Sequence, residues 1–209
     1  MKDFILFGGL AYLIGSIPTA VWLGRAKYGI DVREHGSKNA GATNTFRVLG
    51  KKPGIVVLSI DIAKGFIAAF IPFLFGVGDW NWESEALMNV KLVCALLAFT
   101  GHVLPVFASF KGGKGVATSL GVIFAVHPSA AGICLASFLI VFIVTHFVSL
   151  GAIAASFSFP LSLLLYFKIT SPWLAAFSLV LAAAVIYAHR KNIKRLLKGE
   201  ENRMNLFKK

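Results

Sequence analysis

Residues 4–23 read FILFGGLAYLIGSIPTAVWL, twenty positions without a charge. Twenty is about the number of residues an α-helix needs to cross a hydrocarbon core of about 30 Å. The run resembles a secretory leader only superficially. It is too long, Pro18-Thr19-Ala20 is a poor cleavage sequence, and Arg25 and Lys27 follow at once, as a stop-transfer signal would. The segment therefore reads as a retained first membrane helix.

The rest of the chain supports this reading. Of 209 residues, 57% are hydrophobic and 14% charged, against about 25% charged in a typical soluble domain. Further apolar runs at Gly54–Gly76, Val90–Gly101, Val116–Val126, Ala130–Val148, Leu150–Phe167 and Trp173–Ala188 are punctuated near their ends by Pro53, Pro72, Pro105, Pro128 and Pro172. The fold class expected is an all-α integral membrane protein, a polytopic bundle within a single domain over residues 1–209. The net charge of +12 fits either nucleic acid or a membrane surface, and the apolar runs select the membrane.

Charge placement sets the expected orientation. Seven Lys and Arg lie between Arg25 and Lys52 and eight between Arg190 and Lys209, whereas the Asp79–Glu85 loop is acidic. The basic segments are expected in the cytoplasm, with the amino terminus outside and the carboxyl terminus cytoplasmic. Two cytoplasmic segments require an even number of crossings between them, which gives seven transmembrane helices in all, or five if Val116–Val126 is re-entrant. Eleven residues span only about half the core, yet seven is the preferred count.

Three segments on the expected cytoplasmic side, within about 25–52, 101–118 and 189–209, are more polar than topology demands. Gly36-Ser37-Lys38-Asn39-Ala40-Gly41-Ala42-Thr43-Asn44-Thr45-Phe46-Arg47 supplies hydroxyls, amides, glycines and two cations, which are donors suited to a phosphate. Gly101-His102 is followed by Lys111-Gly112-Gly113-Lys114-Gly115-Val116-Ala117-Thr118. Its glycines open the backbone to an anion at the start of a helix. It is not a Walker A loop, because Gly115 stands where Ser or Thr is needed. The third segment holds His189, Asn192 and Arg195, which share a face if the last helix continues, and then Gly199-Glu200-Glu201.

Ser149 heads an apolar run and reads as an N-cap, with donation to a ligand as the alternative. Asp61 and Lys64 lie three apart inside a membrane helix and read as an ion pair facing the bundle interior. His127 and His146 form no cluster with zinc-like spacing, and Cys94 and Cys134 sit in apolar runs. No metal site and no cofactor are expected. A His-x4-Asp acyltransferase signature is absent.

The three segments together closely resemble the bacterial acyl-phosphate:glycerol-3-phosphate acyltransferases, the PlsY family. Their elements are Gly-Ser-x3-Gly-x2-Asn-x2-Arg at Gly36 to Arg47, Lys-Gly-Gly-Lys-Gly-Val-Ala-Thr at Lys111 to Thr118, and His-x2-Asn-Ile-x-Arg-Leu at His189 to Leu196. The resemblance spans nearly the whole chain. It implies transfer of a fatty acyl group from acyl phosphate to the 1-hydroxyl of glycerol 3-phosphate, giving lysophosphatidic acid and phosphate, at the cytoplasmic face of a bacterial plasma membrane.

It further implies catalytic roles for Ser37, Arg47, Lys114, His189, Asn192 and Glu201, with Glu201 favoured over Glu200 as the family's acid. Substrate contacts are expected from Lys38, Asn39, Gly41, Asn44, His102, Gly112, Gly113, Gly115, Thr118, Ser149 and Arg195. The base is either His189 or a substrate phosphate oxygen. The expected partners are the two substrates and membrane lipid, with no nucleic acid, and the protein is expected to act as a monomer. A transporter of phosphate-bearing metabolites is the alternative from another class. It would carry polar residues toward the outer face and an internal repeat, and neither is evident in the sequence.

Overall fold

The structure, a computed structural model, describes residues 2–82 and 84–204. Glu83 of the acidic loop and Lys208 and Lys209 of the basic tail lie outside them. Backbone proximity divides the chain into two compact units, Met1–His127 and Pro128–Lys209, and the described residues contain helices and no strand.

The first unit contains α1 (Lys2–Gly15), α2 (Thr19–Tyr28), α3 (Ala42–Leu49), α4 (Lys51–Leu74), α5 (Glu85–Val103) and α6 (Val116–Val126). The decisive run 4–23 is thus not one helix, since it breaks over Ser16-Ile17-Pro18. Proline has no N–H to donate and disfavours helical backbone in the residue before it. At the break the half-buried Ile17 carbonyl accepts from Thr19 N–H at 3.0 Å and from Lys64 Nζ of α4 at 2.7 Å. Lys64 also pairs with Asp61 at 3.0 Å, and Asp61 accepts from the Thr19 hydroxyl at 3.0 Å. The expected intrahelical pair is therefore present, and it also bonds the broken first span.

Close helix contacts rest on glycine. At Gly65 a β-carbon would meet the Thr118 carbonyl, and at Gly121 it would meet that of Ile62, so α4 and α6 touch backbone to backbone, as small residues allow in membranes. Helix α3 is not among the helices expected from the apolar runs, and it covers the second half of the polar 36–47 segment. Its first turn is closed by the Gly41 carbonyl, which accepts from the N–H groups of Asn44 and Thr45.

The second unit contains α7 (Pro128–Thr145), α8 (Val148–Leu161), a wider π-type turn at Ser162–Tyr166, α9 (Pro172–Ala188) and α10 (Arg190–Leu197). His146 is not inside a helix as expected; it has a positive φ of 60° in the α7–α8 turn. The chain bends by 60° between α9 and α10, so the last helix does not run straight through His189.

Among the described residues, five segments are long and apolar enough to cross a membrane: Lys2–Tyr28, Lys51–Leu74, Glu85–Ala108, Pro128–Thr145 and Val148–Tyr166. The bent pair α9–α10 makes a sixth if it counts as one span, and Val116–Val126 is a shorter apolar helix.

Candidate active site

In the first unit, Asn44 organises the 31–37 loop. Its side-chain amide donates to the carbonyls of Val32 (2.7 Å) and His35 (3.1 Å), and its oxygen accepts from Ser37 N–H (2.8 Å). At 1% exposure, Asn44 is spent on the backbone rather than turned outward. The loop it shapes leaves Ser37, Lys38 and Arg47 exposed, with Asn39 and Gly41 half-buried. Gly36, at φ 58°, lets the Asn44 side chain sit against the loop; a β-carbon there would stand 2.5 Å from Asn44 Oδ1. Asn44→Ala would strand buried carbonyls, which costs about 1–3 kcal/mol for each unsatisfied group. A clear drop in the denaturation midpoint in detergent is the expected result.

The glycine loop is built differently from the expectation. The N–H groups of Gly112 and Gly113 donate to the carbonyls of Val103 (3.2 Å) and His102 (3.1 Å). They thus satisfy the frayed end of α5 and are not pointed at an anion. What remains for an anion is the first turn of α6, whose N–H groups have no intrahelical acceptor. Gly115, at φ 79°, reverses the chain into that turn. Beneath the loop, His102 is buried with its ring against Gly113. Its Nδ1 shares a 3.0 Å hydrogen bond with the fully buried Thr118 hydroxyl and lies 3.8 Å from Asp61. His102 and Thr118 therefore support the loop from below and link it to the Asp61–Lys64 pair.

The sequence reading missed Asp31, Arg33 and Arg25. Asp31 accepts from both arginines, at 2.7 Å from Arg33 Nη2 and 2.8 Å from Arg25 Nη2. The Arg33 guanidinium, its strongest influence, holds the Asp31 carboxyl far below the usual carboxylate range despite burial. The available signal was a carboxylate two residues before an arginine in an otherwise basic loop.

In the second unit the tail turns back on itself. Gly199, at φ 72°, donates to Leu196 and Glu200 N–H to Arg195, the paired bonds of a Schellman end. The reversal carries Glu201 to three donors: Asn192 Nδ2 at 2.7 Å, Arg195 Nε at 2.7 Å and the Ser149 hydroxyl at 2.9 Å. Ser149 is accordingly not the N-cap; that position belongs to Phe147, and the hydroxyl is committed to Glu201. Met204 N–H then bonds the His146 carbonyl at 2.8 Å.

Burial alone would raise the Glu201 pKa, but the bonds from Arg195, Asn192 and Ser149 outweigh it and keep the carboxyl below its ordinary 4.5. A depressed carboxyl contributes stability that is complete above the ordinary value and is lost as pH falls through the lowered one. The tail clasp is therefore intact at neutral pH. His189 stands at the bend, buried, with Nδ1 2.8 Å from the Val185 carbonyl. A carbonyl only accepts, so the neutral ring carries its proton on Nδ1 and its basic lone pair on Nε2.

The sequence profile of the glycerol-3-phosphate acyltransferase family matches residues 5–199. Curated relatives described as glycerol-3-phosphate acyltransferase include those of Fusobacterium nucleatum, 44% identical over 96% of this chain and 97% of that protein, and Chlorobaculum parvum, 42% identical over 98% and 97%. The relative from Staphylococcus carnosus is 43% identical over 92% and 93%. Among solved structures, the glycerol 3-phosphate form of PlsY, an integral membrane glycerol 3-phosphate acyltransferase, is 40% identical. It superposes with a TM-score of 0.85 over 98% of this chain and 99% of its own. The lysophosphatidic acid form gives 0.81. Full-length identity at this level, with the fold shared throughout, makes the chain an all-helical, multi-pass integral membrane protein of the PlsY-type glycerol-3-phosphate acyltransferase family.

Proposed function

We propose that the chain transfers a fatty acyl group from acyl phosphate to the 1-hydroxyl of glycerol 3-phosphate, yielding lysophosphatidic acid and inorganic phosphate, the first acylation of phospholipid synthesis. The observation that carries this reading is the 40% identity over 98% of the chain to an acyltransferase solved in its glycerol 3-phosphate form. The substrate hydroxyl oxygen attacks the acyl carbon, the carbon–oxygen bond to phosphate breaks, and phosphate leaves. The hydroxyl proton passes to His189 Nε2 or to a phosphate oxygen. Acyl phosphate is a mixed anhydride with a good leaving group, so the protein mainly brings two anions together and screens their repulsion.

The α6 amino terminus and Ser37, in the loop framed by Asn44, receive the acyl-phosphate end. Arg47, Lys114, His189 and Asn192 hold glycerol 3-phosphate, with Lys38, Asn39 and Gly41 along the first loop. Glu201 fixes Asn192 and Arg195 and takes no proton in the reaction. The whole chain acts as one catalytic domain and as a monomer.

The bilayer arrangement proposed with it has seven crossings, counting α6 and α9, with the amino terminus outside. The 25–52, 101–118 and 189–209 segments then lie on the cytoplasmic side of the bacterial plasma membrane. The positive charges of 25–52 and of the tail support that orientation.

Purified protein assayed with Arg47→Ala alongside tests the assignment. The variant is expected to raise the KM for glycerol 3-phosphate by about tenfold or more, the scale of one lost charged hydrogen bond, with the acyl-phosphate KM little changed. Unaltered kinetics would remove Arg47 from the site. Turnover with acyl-CoA and none with acyl phosphate would overturn the donor.

A further inference from the structure

We propose that Arg33, oriented by Asp31, is a positioning residue that fixes the Ser109–Phe110 turn and, through it, the start of α6 where the phosphate end of the acyl donor is received. The inference rests on the donor reading above for its kinetic consequence, though not for its structural one.

All three guanidinium nitrogens of Arg33 are committed to this chain. Nε donates to both oxygens of Asp31 (3.0 and 3.2 Å) and Nη2 to Oδ2 (2.7 Å). Nη1 reaches 75 positions along the sequence to the Ala108 carbonyl at 2.9 Å, and at 3.4 Å to that of Lys111. Asp31 in turn is held by Arg25 and by the backbone N–H of Arg33, so the fork has one orientation. Four of the five guanidinium N–H groups are thus spent on this chain, and the side chain is 19% exposed.

The two carbonyls it grips bracket an unfavourable stretch of backbone. Ser109 and Phe110 both have positive φ, 53° and 58°, a region that costs an L-residue free energy unless its surroundings impose it. Burial does not impose it, because both side chains are exposed and that of Phe110 is 57% so. Backbone bonds do: Phe110 N–H to Pro105, Lys111 N–H to Ala108, and the two from Arg33. Only Gly112, Gly113 and Lys114 separate Lys111 from the Gly115 cap of α6, so a turn that relaxes displaces the anion-receiving end of the helix.

The test is Arg33→Gln in the full-length protein, read by amide hydrogen exchange and by two-substrate kinetics. Exchange over 106–115 is expected to rise about tenfold or more with peptides of α8 unchanged. The acyl-phosphate KM should rise about tenfold while that for glycerol 3-phosphate stays within about twofold. Arg33→Lys, which keeps a donor, should lose less. Adding Ser109→Gly to Arg33→Gln should recover activity, because glycine adopts positive φ at no steric cost.

Unchanged exchange over 106–115 would overturn the proposal. So would a kinetic loss shared by both substrates without recovery by glycine, which marks a direct or general role. If Arg33→Gln does not fold, Asp31→Asn, which frees the fork without removing it, is read by the same measures. A wild-type enzyme inactive with acyl phosphate would refute the donor reading alone, and exchange would still decide the clasp.

Discussion

Gly112→Ala is expected to lower kcat/KM by about two to three orders of magnitude in a protein that still inserts and folds. A β-carbon at Gly112 would lie against the His102 carbonyl oxygen, 2.7 Å from that of Val103 and 2.6 Å from Pro105 Cδ. None of these atoms is the end of a flexible side chain. Two are the acceptors that seat the loop on α5 through Gly112 and Gly113 N–H, so the loop itself must move. A displacement of about 1 Å in a positioned reacting group costs about 10²-fold in rate. Gly113→Ala meets the buried His102 ring and should fall between this variant and wild type. Gly132→Ala, where a β-carbon meets nothing within 4 Å, should leave activity unchanged. Steady-state kinetics of the three variants checks the order.

Glu201→Gln is expected to lower kcat/KM by about two orders of magnitude, the scale of breaking a hydrogen-bonded charge pair on one side. The carboxylate accepts from three donors at once. A glutamine turns its own N–H group toward one of them and leaves Arg195 without a counter-charge. Asn192 is then no longer held, and its loss of orientation reaches the reaction. Glu200 is exposed, so Glu200→Gln should retain activity within about twofold, as surface changes do. Equal effects at the two positions would contradict the assignment of Glu201.

The fold class was legible because apolar runs near twenty residues have one physical outcome, and even the short helix α6 has the bounds read from Val116–Val126. The break at Pro18 was not read, because a run judged by its lack of charge hides a proline, and the Ile17 carbonyl before it is bonded by a lysine 47 positions away. Helix α3 was hidden by its composition, since Asn, Thr and Gly favour turns until Gly41 closes the first turn.

The site was legible as a set of residue types and less so as a set of roles. Asn44, Thr118 and His102 look like donors for a ligand in sequence, yet they are buried and bonded within the first unit. Ser149 looked like a cap because it heads an apolar run, and its hydroxyl instead answers a carboxylate 52 positions on. Arg33 carried no motif, because a clamp on carbonyls depends on a turn conformation that spacing does not reveal.

The most direct test mixes the purified protein with palmitoyl phosphate and glycerol 3-phosphate and follows phosphate release and acylated product together. The account predicts one phosphate for each 1-acyl-glycerol 3-phosphate formed, and no product when palmitoyl-CoA replaces the acyl phosphate. Folded protein that binds glycerol 3-phosphate but forms no lysophosphatidic acid, or that acylates it from the thioester alone, would contradict it.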